Sequence, residues 1–201
     1  MIIYLIRHSI TNLNSASAGY PIMCGSTQAH ITEEGIELAR KVGREYDFAG
    51  NLEKVKEIYC STLDRTLETA KEMFPQLIDR VNVHRCPAFD EIDFGDYETV
   101  PKYDLPEEML SLWDDKPEEL IFPGGDSMKD RAIAGVEELV KLAEQAENPF
   151  IVVSSSTVLR LMLTVIMEIP FNRFHGIQMD NCNVVELEYD RQNQSLRVKN
   201  V

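Results

Sequence analysis

The sequence predicts an α/β fold: a layered helix–sheet–helix domain whose sheet is mostly parallel with an antiparallel edge. Three observations carry that reading. Short apolar, β-branched runs at Ile2–Ile6, Val55–Cys60 and Phe150–Val153 read as buried strands. Segments with helical periodicity lie between them, the alternation that builds parallel sheets. Two alternating stretches near the end, Asn183–Tyr189 and Ser195–Val198, read as a closing hairpin.

The remaining elements follow in order. Arg7-His8-Ser9 ends the first strand, and a loop rich in Asn, Ser and Gly runs from Thr11 to Gly25. Thr32 followed by Glu33 and Glu34 signals a helix start, and Ile36, Ala39, Val42 and Tyr46 continue at helical spacing. After the second strand, Ser61 and Thr62 are candidate caps for a helix carrying Leu63, Leu67, Ala70 and Phe74, ending near Pro75. Val81–His84 alternates as a short strand. Residues 96–125 are irregular, acidic and punctuated by proline, and read as a lid or cap insertion within a single domain of residues 1–201. Ser127 caps a helix to about Ala146, and Val158–Met167 is a strongly apolar helix.

The 201 residues suffice for one domain with a sizeable core. No apolar stretch reaches the roughly 18 residues of a membrane helix, and the first strand is too short and too poor in flanking positive charge for a signal peptide. A cytoplasmic location is expected. Cys24, Cys60, Cys86 and Cys182 are scattered, so reduced thiols are expected, with neither disulfides nor a metal site. With 34 acidic and 20 basic residues the net charge is −14. That field opposes nucleic acid and anionic membranes as partners. Any anion site must then be a local basic island, for which Arg7, Arg65, Arg160 and His175 are the candidates.

Arg7 and His8 stand at the carboxyl end of a core strand, where open α/β sheets bind ligands. Imidazole as nucleophile and guanidinium as clamp suit phosphate chemistry. Arg65 falls in the first turn of its helix, where it adds a fork to N–H groups that favour anions. Read alone, it is more often a surface arginine. Glu91 sits in Phe89-Asp90-Glu91-Ile92-Asp93-Phe94-Gly95-Asp96-Tyr97-Glu98, and a carboxyl beside a bound phosphate suits a general acid.

In their order along the chain these segments resemble the histidine phosphatase superfamily, which includes the phosphoglycerate mutases. Arg7-His8, Thr11 and Asn14 match its opening motif, with Ser9 and Ile10 replacing the usual Gly and Glu. Cys60-Ser61-Thr62-Leu63-Asp64-Arg65 is similar to its arginine motif. The glutamate segment is closest in wording to α-ribazole phosphatases, and Phe122-Pro123-Gly124-Gly125-Asp126-Ser127 resembles a family turn that leads into a helix. Ser154-Ser155-Ser156 occupies the place of the family's Ser-His-Gly, so its second catalytic histidine falls on Ser155. Ser154 and Ser156 read chiefly as a polar strand end capping a helix, with Ser156 also a candidate phosphate contact.

The resemblance implies a phosphomonoester hydrolase that acts through a phosphohistidine at His8. Glu91 is the proton donor, and Arg7, Arg65, Asn14 and Ser156 bind phosphate. A small phosphorylated substrate, no cofactor, no metal, and a monomer or homodimer are expected. Ser155 can donate a hydrogen bond but supplies no charge, and loss of one such donor slows catalysis by roughly 100- to 1000-fold. Two rivals remain open: a non-catalytic phosphate-ligand binder on the same site, and a mutase-type phosphotransferase, for which the chain is short. His30, His84 and His175 read as ordinary surface histidines.

Overall fold

The computed structural model describes residues 1–14 and 22–200; part of the Thr11–Gly25 loop lies outside them. Its six strands are β1 (Ile2–Arg7), β2 (Glu57–Cys60), β3 (Asn82–Arg85), β4 (Phe150–Ser154), β5 (Val184–Asp190) and β6 (Ser195–Asn200), in the order β3-β2-β4-β1-β5-β6. β3, β2, β4 and β1 run parallel, whereas β5 pairs antiparallel with both β1 and β6. The mixed sheet with its antiparallel edge is the architecture the sequence predicts.

The strands alternate between two cores, as a period of two requires. Ile3, Leu5, Phe150, Val152, Val185 and Leu187 face one layer, with α4 (Met128–Gln145) and α5 (Ser156–Ile166) packed on it through Leu139, Val158, Leu159 and Met162. Tyr4, Ile6, Ile58, Ile151 and Val153 face the other, covered by α1 (Glu33–Glu45) and α2 (Asp64–Met73) through Ala39, Ala70 and Met73. Both faces of β1 and β4 are covered, which accounts for their unbroken apolar runs.

Caps behave as local chemistry dictates at two helices and not at the third. Thr32 accepts from the Gly35 N–H and Ser127 from the Asp130 N–H. Ser61 and Thr62 do not cap α2: its cap position is Leu63, with no side-chain bond. Asp90 claims the Thr62 amide and hydroxyl at 2.6 and 2.7 Å, while the Ser61 hydroxyl bonds to Thr66. A tertiary partner outbids the local cap. α5 also begins two residues before the predicted Val158, at Ser156.

The 96–125 stretch is not wholly irregular. It contains α3 (Glu107–Asp115) between short 3-10 turns. Trp113, Phe122, Leu105 and Leu120 join Ile92, Phe94, Phe174 and Leu161 in a third apolar cluster, with Trp113 edge-on to Phe174 at 5.7 Å. The acidic residues of α3 masked its one buried residue, Trp113.

Gly35, in the first turn of α1, backs onto the chain just beyond His8. A Cβ there would lie 2.2 Å from the Ile10 carbonyl oxygen. Helix propensity alone favours Gly35→Ala by about 0.5–1 kcal/mol. The clash is with backbone, which cannot swing aside, so overpacking of about 1–3 kcal/mol should win. Urea unfolding is expected to show a destabilised Gly35→Ala protein.

Candidate active site

β1 and β4 end side by side, with Arg7 opposite Ser154 in register. The His8 N–H donates to the Ser154 carbonyl at 2.9 Å, which brings the first motif to the serine run. The segment before β5 closes the other flank: Arg7 Nη1 donates to the Met179 carbonyl at 2.7 Å and Asn181 Nδ2 to the His8 carbonyl at 2.9 Å. Ser9, which stands where the family has glycine, is a buried structural residue. Its N–H donates to Thr69 and its hydroxyl to the Gly35 carbonyl at 2.6 Å.

His8 is buried, and its Nδ1 lies 2.7 Å from the Ser9 carbonyl. A carbonyl can only accept, so Nδ1 carries the hydrogen and Nε2 keeps the lone pair. Burial, then the charges of Arg65 and Arg7, hold the imidazole well below the ordinary value of 6.5. A neutral ring with a free lone pair is the nucleophilic form.

Arg65 is among the largest fully buried side chains, with 1% exposure. The surface reading is overturned at this position. Nη2 donates to the Gly25 carbonyl at 2.8 Å and Nη1 to the Thr27 carbonyl at 2.9 Å. Among the described residues, the buried Nε atoms of Arg7, Arg65 and Arg160 have no hydrogen-bond partner. Arg7 and Arg65 share with His8 a cavity of about 210 Å³. The two guanidinium charges at this cavity form the local basic island that an anion would engage in an acidic chain. Arg160 interacts with Glu91 and Asp180 but does not line this cavity.

Glu91 is buried against the start of α5. Its Oε2 accepts from the Thr157 N–H at 2.9 Å, and its Oε1 from the Val158 and Ile92 N–H groups at 2.8 and 3.0 Å. These bonds do the work of a helix cap where Ser155 makes none. The segment is braced from behind by Asp126, which accepts from the Asp93 N–H and pairs with Arg131 at 2.6 Å.

Asn14 and Ser156 line the cavity, Asn14 with its carboxamide oxygen tied to the Thr11 N–H at 2.7 Å. Ser155 does not line it: buried, its hydroxyl lies 3.4 Å from Arg65 Nη2, a long contact. The outer wall holds Phe94, Trp113 and Lys102, whose Nζ lies 5.0 Å from the Trp113 ring centre. Sequence reasoning did not single out Lys102 or Trp113, because neither sits in a family motif. His30 and His84 pair with Glu68 and Glu57 at the surface, and His175 contacts the Trp113 carbonyl. The four cysteines are free, and burial pushes Cys60 up to about 12 and Cys182 up to about 11, which makes them packing thiols.

A family profile for the histidine phosphatase superfamily (branch 1) matches residues 3–201. The chain belongs to that superfamily. Solved structures share this superfamily member's fold. The α-ribazole phosphatase from Shigella flexneri superimposes with a TM-score of 0.80 at 21% identity, covering 100% of this chain and 96% of that one. A phosphoserine phosphatase from Entamoeba histolytica, in complex with 3-phosphoglyceric acid, gives 0.81 at 20% identity with the same coverage. A mycobacterial glucosyl-3-phosphoglycerate phosphatase gives 0.78 at 18%, covering 99% of this chain and 97% of that one. No curated protein sequence matches. Among the described residues no helix is long and apolar enough to cross a membrane, and no three His, Cys, Asp or Glu side chains cluster so as to hold a metal ion.

The lowered His8 value has a sign that can be tested. Below the unfolded value near 6.5 the unfolded chain takes up a proton that the folded ring resists. The contribution is present above that pH and is lost as pH falls toward the folded value. His8→Gln should therefore lose less stability than the parent between pH 7 and pH 5, as read by urea unfolding at both.

Proposed function

We propose that the protein is a phosphomonoester hydrolase that works through a phosphohistidine at His8. The observation that carries this reading is the neutral, lone-pair-bearing imidazole set in one cavity with two arginines, Arg7 and Arg65. The phosphatase names of the structural relatives agree with it.

In the first step Nε2 of His8 attacks phosphorus in line. The N–P bond forms as the P–O bond to the leaving alkoxide breaks, and Glu91 gives that alkoxide a proton. In the second step water attacks the phosphohistidine, Glu91 takes the water's proton, and His8 is released with inorganic phosphate. A carboxylate has about four lone-pair sites. In Glu91 three are taken by N–H groups, two on Oε1 and one on Oε2. The remaining site, on Oε2, is where the transferred proton would reside. Arg7 and Arg65 hold the phosphoryl oxygens and neutralise charge developing in the transition state. Asn14 and Ser156 add neutral donors at the cavity wall. The organic part of a small substrate would lie against Phe94, Trp113 and Lys102.

Ser155 favours a second reading, a phosphate-ligand binder without turnover. It is buried behind Arg65 and brings no charge to the cavity. Removing one electrostatic donor seldom abolishes catalysis, so slow hydrolysis takes precedence.

Steady-state kinetics with p-nitrophenyl phosphate separate the two. The parent should turn over slowly and His8→Ala should have no activity above background. Ser155→His should raise kcat at least ~10-fold with a smaller change in KM, because a restored cation acts chiefly on the transition state. A parent without turnover, and a folded Ser155→His protein no better, would favour the binder.

A further inference from the structure

The glutamate motif ends on a second glutamate, Glu98, that the two hydrolytic steps do not use. We infer that Glu98 is a positioning residue for the phosphate site. It holds the Gly25–Thr27 loop in the shape that cages Arg65, and through that loop fixes where the guanidinium meets the phosphoryl group. The inference rests on reading the cavity as a phosphate site.

Glu98 stands at the base of the 96–125 segment. Its carboxylate collects the N–H groups of Gly25, Ser26, Thr27 and Phe94 at 2.9–3.1 Å, together with the Thr27 hydroxyl at 2.6 Å. Consecutive N–H groups turned inward form an anion-binding concavity, and here the protein fills it with its own side chain. No ion pair involves Glu98 among the described residues, so the loop amides are its partners. The loop's carbonyls serve the other side: those of Gly25 and Thr27 accept from Arg65.

The Gly25–Ser26 peptide unit joins the two charges. Its N–H donates to Glu98 Oε1 at 2.9 Å and its C=O accepts from Arg65 Nη2 at 2.8 Å. Carboxylate, peptide dipole and guanidinium therefore stand in series, each polarising the next in the same sense. The arrangement demands glycine at position 25, because a Cβ there would lie 1.9 Å from the Ile92 carbonyl oxygen and 2.4 Å from Glu98 Oε1. It also demands an acceptor with no donor of its own. In Glu98→Gln one oxygen becomes an NH₂ facing N–H groups, and the loop must rearrange. The Met23 N–H bonded to the Val100 carbonyl at 2.8 Å, and the Thr99 N–H bonded to the Met23 carbonyl at 2.7 Å, stitch the same loop to the base of the segment.

The test is a double-mutant cycle on the full chain: parent, Glu98→Gln, Arg65→Met and the double variant. Calorimetry with inorganic phosphate gives Kd for each, and p-nitrophenyl phosphate gives kcat/KM. Glu98→Gln should weaken phosphate about 10-fold in the parent and less than about 2-fold in the Arg65→Met background, since contacting residues couple and independent ones add. Equal losses in both backgrounds, or no loss on Glu98→Gln, would overturn the positioning role. If phosphate binding depends on Arg65 but not on Glu98, the phosphate reading survives and this inference fails. If the parent binds no phosphate, both fail together. Should Glu98→Gln not fold cooperatively, Thr27→Val replaces it in the cycle. That variant loses only the 2.6 Å hydroxyl bond, and its roughly 2- to 3-fold loss must likewise vanish without Arg65.

Discussion

The parallel pairing of β1 with β4 is the contact on which the candidate site depends. Residues far apart in the chain, Arg7 and Ser154, become register partners, and the His8 N–H is spent on the Ser154 carbonyl. That bond fixes His8 at the rim of the sheet. It also fixes the point where α5 departs, and so where the Thr157 and Val158 N–H groups stand for Glu91 to accept. Both strands are covered on both faces by apolar layers. Sliding one past the other by a residue would turn every core side chain to the wrong face. The register is therefore held by the whole core, and the polar groups inherit its rigidity.

The second constraint is electrostatic. A chain of net charge −14 keeps arginines at the rim of its sheet. Burial lowers the values of Arg7 and Arg160, though guanidinium remains protonated at neutral pH. Two of the acidic groups near them are held by backbone: Glu91 accepts from helix amides and keeps one site free, and Glu98 accepts from loop amides. Backbone N–H groups thus hold both carboxylates, and neither makes an ion pair with these arginines among the described residues. Burial first, and then the same cations, hold His8 neutral, so the arginines serve both the nucleophile and anion binding.

The fold was legible where local chemistry and tertiary structure agree. The apolar runs of β1 and β4 and the caps Thr32 and Ser127 needed nothing beyond their neighbours. Sequence failed where a distant group intervened. Ser61 and Thr62 are competent caps, yet Asp90 takes Thr62. The start of α5 depends on Glu91, 66 residues away from Thr157. Trp113 looked like part of an acidic insertion until its ring met Phe122 and Phe174. His8, Arg7, Arg65 and Glu91 were legible as motif residues. Nothing in the spelling of the chain said that Arg65 would be buried under loop carbonyls, that Ser155 would stand behind it, or that Glu98 would organise that loop.

The serine in place of a second histidine makes the chemistry of His8 the point to test. A chain incubated with phosphoramidate and quenched in alkali should carry one phosphoryl group, mapped by mass spectrometry to the peptide containing His8. Phosphorus NMR should assign it to Nε2, the nitrogen left free by the Ser9 carbonyl. A phosphoryl group on Nδ1, on another residue, or none at all under conditions where phosphate is shown to bind, would contradict His8 as the nucleophile.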